Sequence, residues 1–197
     1  NQTPIFSDEM QFVVFHPDWG VPGTIKVQDL LPSLQAGDDS VLRRRNMRLV
    51  SGNRTVHPAE IDWGRTDIRK LSVIQDPGPT NPLGQLKFMF PNKHDVYMHD
   101  TPLKKLFNYY LRPYSAGCVR VEQVQQLAGW LLSGEPGWGD AGVARALQAG
   151  QQQTVKLSRP VPVHFAYISA WATADGQAHF RMDIYDKDKT DGQEART

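Results

Sequence analysis

Apolar residues along most of the chain occur in short runs or alternate with polar ones, a pattern typical of strands. Met10–Phe15 is a β-branched and aromatic run and predicts a buried strand. Gln85–Phe90 and Asp95–His99 predict two short strands on either side of a proline-containing turn. Two alternating runs, separated by a loop with Asp175-Gly176, predict a terminal β-hairpin. The first run contains Val161, Val163, Phe165 and Tyr167, and the second contains Phe180, Met182 and Ile184.

Helical patterns are fewer. Thr24–Gln35 carries an imperfect apolar stripe that Pro32 breaks or bends. Thr101-Pro102 has the cap residue and the first-turn proline typical of a helix start. An amphipathic pattern begins at Val121, and Gly139–Ala149 fits a further short helix. Together, these patterns predict a β-rich α+β domain with few helices.

Residues 20–66 interrupt the β pattern and predict a small helical insertion that takes no part in a sheet. The segment includes a basic cluster, which consists of Arg43, Arg44, Arg45 and Arg48. Such a cluster is typical of a solvated surface, and a surface that faces anions is the alternative interpretation. At 197 residues the chain has the length of one domain with room for such a subdomain.

Net charge, the length of apolar runs and the cysteine count limit the classes of function open to this protein. The net charge of +1 does not favour binding to nucleic acid or to a membrane surface. No apolar run approaches the roughly 20 residues that a membrane span requires. The single cysteine excludes an internal disulfide framework and a zinc site made of several cysteines.

That cysteine, Cys118, lies in the segment RPYSAGCVRVE between a glycine and a hydrophobic residue. Gly117 permits unusual backbone angles and close approach of a substrate. The helix expected near Val121 would aim free backbone N–H groups at the sulfur, and Arg120 adds positive charge. These residues alone leave two interpretations open, a small core residue and a reactive thiol.

A nucleophilic cysteine needs a base, and histidine is the usual one. His99 is the best candidate, because it ends a strand where a turn follows. Tyr97 shares its strand face, since strand side chains alternate. Of the other histidines considered, His94 is expected to be an exposed turn residue, and His164 and His179 are expected to be structural. A metal site made from His94, His99 and Cys118 is a weaker alternative, because closely spaced ligand pairs are absent.

Two segments, His99-Asp-Thr-Pro and Tyr114-Ser-Ala-Gly-Cys-Val-Arg120, resemble the catalytic signature of the L,D-transpeptidases. In that family a histidine in an HGT-like segment precedes a serine-histidine-glycine-cysteine segment that ends in arginine or asparagine. Two departures stand out. Ala116 replaces the second histidine of the signature, and Asp100 replaces the glycine after the first.

The resemblance extends over nearly the whole chain. Asn81-Pro-Leu-Gly84 and residues 160–185 look like family sequence, and Trp19-Gly-Val-Pro22 and Leu30-Leu-Pro32 resemble a subgroup of large periplasmic enzymes. The resemblance implies an L,D-transpeptidase-type mixed β-sandwich with a few helices. In this fold, residues 20–66 would form an inserted helical cap over the site. Because the sequence begins without methionine, we expect an upstream export signal or membrane anchor.

The resemblance also implies a role for each residue of the signature. Cys118 would be the nucleophile and His99 the base, which Ser115 would orient. The backbone N–H groups of Gly117 and Cys118 would stabilise an oxyanion. The expected substrate-binding residues are Arg120, Tyr97, Tyr114 and Trp19.

The implied substrate is the tetrapeptide stem of peptidoglycan, and carbapenem-type inhibitors should react with the same thiol. No metal or other cofactor is expected, and the site should face the periplasm or cell wall. Transfer to an amine would make the protein a transpeptidase, transfer to water a carboxypeptidase, and cleavage of a wall-anchored protein a detaching amidase. A non-catalytic wall-binding domain with a structural Cys118 is the alternative from another class.

Overall fold

A computed structural model describes residues 2–188 and has the mixed α+β architecture that the sequence predicts. The strands are β1 Phe6–Phe15, β2 Trp19–Gly20, β3 Met47–Ser51, β4 Arg54–Val56, β5 Ser72–Gln75, β6 Leu86–Met89, β7 Met98–His99, β8 Val119–Arg120, β9 Gln153–Phe165, β10 Ala170–Ala172 and β11 Ala178–Phe180. The helices are α1 Gly23–Ile25, α2 Leu31–Gln35, α3 Ser40–Arg44, α4 Val124–Leu132 and α5 Asp140–Ala149. A π-helical turn, Lys26–Leu30, joins α1 to α2, and 3₁₀ turns cover Pro58–Glu60, Ile68–Lys70 and Lys104–Asn108.

The main sheet has the strand order β8-β7-β6-β1-β9. All its pairs are antiparallel except β7 and β8, which run parallel. Its apolar side chains pack with α4 and α5 into one hydrophobic cluster, whose fully buried members include Val13, Phe15, Leu86, Phe88, Ala128 and Leu132. Helices on this side leave the opposite face of β6, β7 and β8 available for polar side chains.

A second sheet, of order β2-β5-β3-β4, has its own hydrophobic cluster with the helices between Gly23 and Arg44. The helical prediction for Thr24–Gln35 is therefore confirmed. The prediction that residues 20–66 take no part in a sheet was wrong. In β3, buried Met47 and Leu49 alternate with more exposed neighbours, but a strand of five residues directly after a basic run gives a weak period-two signal.

The basic cluster faces acidic residues of its own chain. Its ion pairs are Arg43–Asp39, Arg44–Asp38, Arg45–Asp29, and Arg48 with Asp18 and Asp76. All four arginine side chains are at least one-third exposed, so each pair contributes little to stability. These contacts fit the interpretation of the cluster as a solvated surface better than that of an anion-binding one.

Two elements differ from the sequence-based prediction. No α-helix begins at Thr101-Pro102: the hydroxyl of Thr101 accepts a hydrogen bond from the Leu103 N–H at 3.1 Å, as a cap does, but only the short 3₁₀ turn Lys104–Asn108 follows. The terminal hairpin is also shorter than predicted. The run with Val161 and Val163 belongs to β9, which pairs with β1, and only β10 and β11 pair around Asp175-Gly176.

Among residues 2–188 no helix has the length and apolar character needed to cross a membrane.

Candidate functional site

Strands β7 and β8 bring the predicted catalytic residues together. Their parallel register sets His99 opposite Arg120, and the Val119 N–H donates to the Tyr97 carbonyl at 3.1 Å. Because strand side chains alternate, Cys118 and Arg120 share one face with Tyr97 and His99. Cys118 is thus a diagonal neighbour of His99, a relation across which long or aromatic side chains can meet.

The sulfur of Cys118 lies half-buried beside Tyr97, and its Sγ is 4.0 Å from the Asp95 carbonyl oxygen. Burial raises the pKa of this thiol, whereas hydrogen bonds from Tyr97 and the charges of Lys87 and Arg120 act in the opposite direction. At neutral pH the thiol is therefore protonated, and its attack on a carbonyl requires a base.

The turn before Cys118 depends on a glycine. Gly117 is buried and has a φ of 126°, a backbone conformation that other residues adopt only with strain. The side-chain oxygen of Ser115 accepts a hydrogen bond from the Gly117 N–H at 3.1 Å. This bond fixes the turn, but it also occupies a donor that was expected to face the oxyanion.

The expected position of the next helix was wrong. Helix α4 begins at Val124, after strand β8, so Cys118 does not precede a helix N-terminus directly. The Nδ1 of His99 faces the Asp100 carbonyl, and the Ser115 hydroxyl accepts the Gly117 N–H, so an orienting role of Ser115 stays a prediction. The helix begins later than expected because strand β8, too short to recognise in the sequence, lies between the cysteine and the helix.

His99 is only 5% exposed. Burial lowers its pKa to about 4, and the positive charges of Arg120 and Lys87 add to this effect. The imidazole is therefore neutral at physiological pH. Since its Nδ1 faces a carbonyl oxygen, which can only accept, the proton resides on Nδ1 and Nε2 is the free basic nitrogen.

Asp100 stands where the family signature has a glycine after the histidine, and it anchors the end of β7. Its carboxylate accepts hydrogen bonds from the Gln85 N–H at 2.9 Å and from the Lys104 ammonium, and its own N–H donates to the Leu86 carbonyl at 2.8 Å. The carbonyl of the same residue holds His99. Asp100 therefore positions the imidazole through the backbone.

Gly84 leaves space for the Asp100 carboxylate. Its φ is 60°, and a Cβ built there would lie 2.3 Å from Oδ2 of Asp100. We expect Gly84→Ala to lower the free energy of unfolding by about 2–4 kcal/mol, from backbone strain and the displaced carboxylate. Urea denaturation measures this change. Gly134→Ala is the control, because no atom lies within 4 Å of its Cβ position and its φ is not positive; equal losses in both variants would contradict the explanation.

Arg120 clamps the loop that leads to the cysteine. Both terminal guanidinium nitrogens donate to the Tyr114 carbonyl at 3.1 Å, and its buried Nε has no partner among the described residues. A cleft of about 230 Å³ opens beside this loop, and its lining includes Cys118, Ser115, Arg120, Tyr114, Arg112 and Phe107. Tyr114 is half-exposed at the rim and contacts the ring of Tyr109 at 6.1 Å between centroids.

Tyr97 links the site to the second sheet. Its ring makes an edge contact with His99 at 5.8 Å, which confirms that the two share a strand face. Burial raises the pKa of its hydroxyl, the neighbouring Cys118 raises it further, and the side chain of Trp19 lowers it. The hydroxyl is therefore a neutral donor between the sulfur and the indole of β2.

Sequence reasoning missed Lys87. In the β6–β7 register it lies directly opposite His99, and its ammonium is 4.0 Å from the centroid of the Tyr97 ring. Along β6 it alternates with buried Leu86 and Phe88, the usual pattern for a solvent-facing lysine. Only the pairing of β6 with β7 reveals its neighbours.

The other histidines considered in the sequence contact residues outside the candidate site. His94 packs on Phe6 at 5.1 Å between ring centroids, His164 bonds the Ser7 hydroxyl at 2.8 Å, and His179 stacks on Trp171. In residues 2–188 there is no group of three or more His, Cys, Asp or Glu side chains with the geometry to hold a metal ion.

Comparison with known proteins agrees with this geometry. Residues 1–138 match the family model for the YkuD L,D-transpeptidase catalytic domain. Over 188 residues the chain is 32% identical to a Haemophilus influenzae protein named "Putative L,D-transpeptidase". That alignment covers 95% of this chain and 38% of the relative, so the chain spans well under half of the relative's length.

Proposed function

Since the chain belongs to the YkuD family of L,D-transpeptidase catalytic domains, we propose that it is a peptidoglycan L,D-transpeptidase with Cys118 as its nucleophile. The observation that carries the proposal is the clustering of Cys118, His99 and Tyr97 on one face of two paired strands, beside a cleft. The neutral imidazole and protonated thiol favour general-base catalysis over a preformed ion pair.

In the first half-reaction, Sγ of Cys118 attacks the carbonyl carbon between the third-position diamino acid and the terminal D-alanine. Nε2 of His99 takes the thiol proton as the carbon–sulfur bond forms. The tetrahedral intermediate then collapses, the carbon–nitrogen bond breaks, and the imidazolium returns the proton to the leaving amine. A thioester on Cys118 and free D-alanine result.

In the second half-reaction, the side-chain amine of a diaminopimelate on another stem attacks the thioester. His99 accepts a proton from this amine, and the sulfur leaves and regains its proton. The product is a crosslink between two third-position residues. Water in place of the amine would give a trimmed stem instead.

The oxyanion requires donors other than the Gly117 N–H, which Ser115 occupies. The Cys118 N–H has no backbone hydrogen bond within the described residues, and the Tyr97 hydroxyl is a neutral donor next to the sulfur. We therefore assign the oxyanion site to these two groups. A single donor of this kind contributes about 3–4 kcal/mol to transition-state stabilisation.

Residues 20–66 are proposed as a cap that shapes substrate access. The position of Trp19 beside Tyr97, at the start of the second sheet, supports this role. A peptidoglycan substrate also implies that the site faces the periplasm or cell wall.

Incubation with purified muropeptides tests the proposed function. A tetrapeptide donor with an amine-containing acceptor stem should give a dimer and free D-alanine, both detectable by mass spectrometry. A trimmed stem without dimer would favour the carboxypeptidase, and release of a wall-linked protein the detaching amidase. If none of these products forms and binding to wall fragments persists, the protein is a non-catalytic wall-binding domain.

A further inference from the structure

Lys87 is a partly buried cation without an acidic partner. No carboxylate oxygen of residues 2–188 lies within 4.0 Å of its ammonium, which instead rests over the ring of Tyr97 at 4.0 Å from the centroid. Burial lowers the pKa of this lysine, and the charges of Cys118 and Asp18 oppose that effect. A buried charge of this kind is costly unless a nearby group of opposite sign compensates for it.

The surroundings identify that group. The titratable or charged side chains that act on Lys87, Tyr97 and Cys118 are Asp18, Asp95, His99 and Arg120. Asp18 faces the guanidinium of Arg48 at 3.7 Å, so its charge is already partly neutralised. The thiolate of Cys118, which forms when the sulfur leaves the thioester in the second half-reaction, is the remaining anion on this face.

The other cations of the site are less suited to balance the thiolate. Arg120 directs both terminal nitrogens to the Tyr114 carbonyl, and His99 is neutral at physiological pH. Lys87 has a compact ammonium, and the Tyr97 ring that supports it stands directly opposite Cys118 across the β7–β8 pair.

We propose that Lys87 is a positioning residue of the active site, whose ammonium, held over the Tyr97 ring, supplies the positive charge that stabilises the thiolate of Cys118. The inference rests on the proposed function for the role of the thiolate. Its test, however, uses only the reactivity of the sulfur, so a failure of transpeptidation and a failure of this inference are distinguishable.

The experiment is the pH dependence of Cys118 alkylation by iodoacetamide, followed by intact mass. In Lys87→Met the midpoint should rise by about one pH unit, which corresponds to a roughly tenfold slower reaction at neutral pH. Lys87→Arg should retain a midpoint close to that of the parent. Lys156→Met is the matched control, because Lys156 is an exposed lysine of the same sheet, on β9.

A midpoint unchanged in Lys87→Met, even with a lower melting temperature, would show a merely structural lysine and overturn the proposal. An equal shift in Lys156→Met would overturn it as well, because the effect would then follow from net charge. If Lys87→Met does not fold, the coupling is measurable in the parent protein by NMR of ¹³C-labelled lysine. Capping Cys118 with a neutral carbamidomethyl group should lower the pKa of Lys87, and an unchanged titration would contradict the proposal.

Discussion

Cys118→Ala is expected to abolish acylation by a carbapenem completely, because the chain has one cysteine and no other thiol can form the adduct. The parent protein should gain the mass of one inhibitor molecule. Transpeptidation should fall to background at the same time, since both half-reactions pass through the thioester. Intact-mass spectrometry and muropeptide turnover measure the two effects.

The substitution should leave the fold intact. Cys118 is half-buried, and the 4.0 Å separation of its sulfur from the Asp95 carbonyl is that of a weak contact, so we expect a change in unfolding free energy of about 1 kcal/mol or less. Cys118→Ser provides the near-isosteric control and should also be inert, because a hydroxyl is far harder to deprotonate than a thiol. Acylation of Cys118→Ala at the parental rate would refute the nucleophile assignment.

His99→Gln should lower the rate constant for acylation by about 10²–10⁴-fold, the usual contribution of a general base. The glutamine side chain has similar length but cannot take the thiol proton. Stopped-flow or quenched mass measurements of carbapenem acylation isolate this first step. His164→Gln is the control, because His164 is an exposed histidine on β9 whose only proposed role is structural.

The pH dependence of the acylation rate tests the role of His99 independently. A base with a pKa of about 4 accepts a proton at all higher pH values. The second-order acylation rate of the parent should therefore remain constant from about pH 7 down to pH 5 and fall tenfold per unit below pH 4. A fall that begins near pH 6.5, the ordinary value for histidine, would contradict the neutral buried imidazole. Circular dichroism at each pH separates this effect from unfolding.

The proximity of Cys118 and His99 could be predicted from the sequence, because each residue lies in a short segment whose local conformation and motif can be recognised. His99 ends a strand before a turn, and Gly117 permits the positive φ that the structure contains. The same local logic predicted the shared face of Tyr97 and His99, since alternation is a property of any extended chain.

Other parts of the site could not be predicted because they depend on contacts between distant segments. The carbonyl of Asp100 holds the His99 ring, and Gly84 leaves space for the Asp100 carboxylate, an arrangement that no sequence pattern indicated. Strands β7 and β8 have two residues each, too short for any periodic signal, and yet their parallel register sets which side chains meet. The prediction that residues 20–66 take no part in a sheet failed for the same reason, since the strands there, β3 and β4, are only five and three residues long.

The sequence by itself determined the residue types of the proposed nucleophile and base, their order, and the strand face on which His99 and Tyr97 lie. The tertiary structure decided which charges surround them. Lys87 alternates with core residues on β6 and looks solvent-facing in the sequence, but pairing with β7 sets it opposite His99 and over Tyr97. The physical reason is that strand register joins residues far apart in the chain, whereas sequence patterns report only the local backbone period.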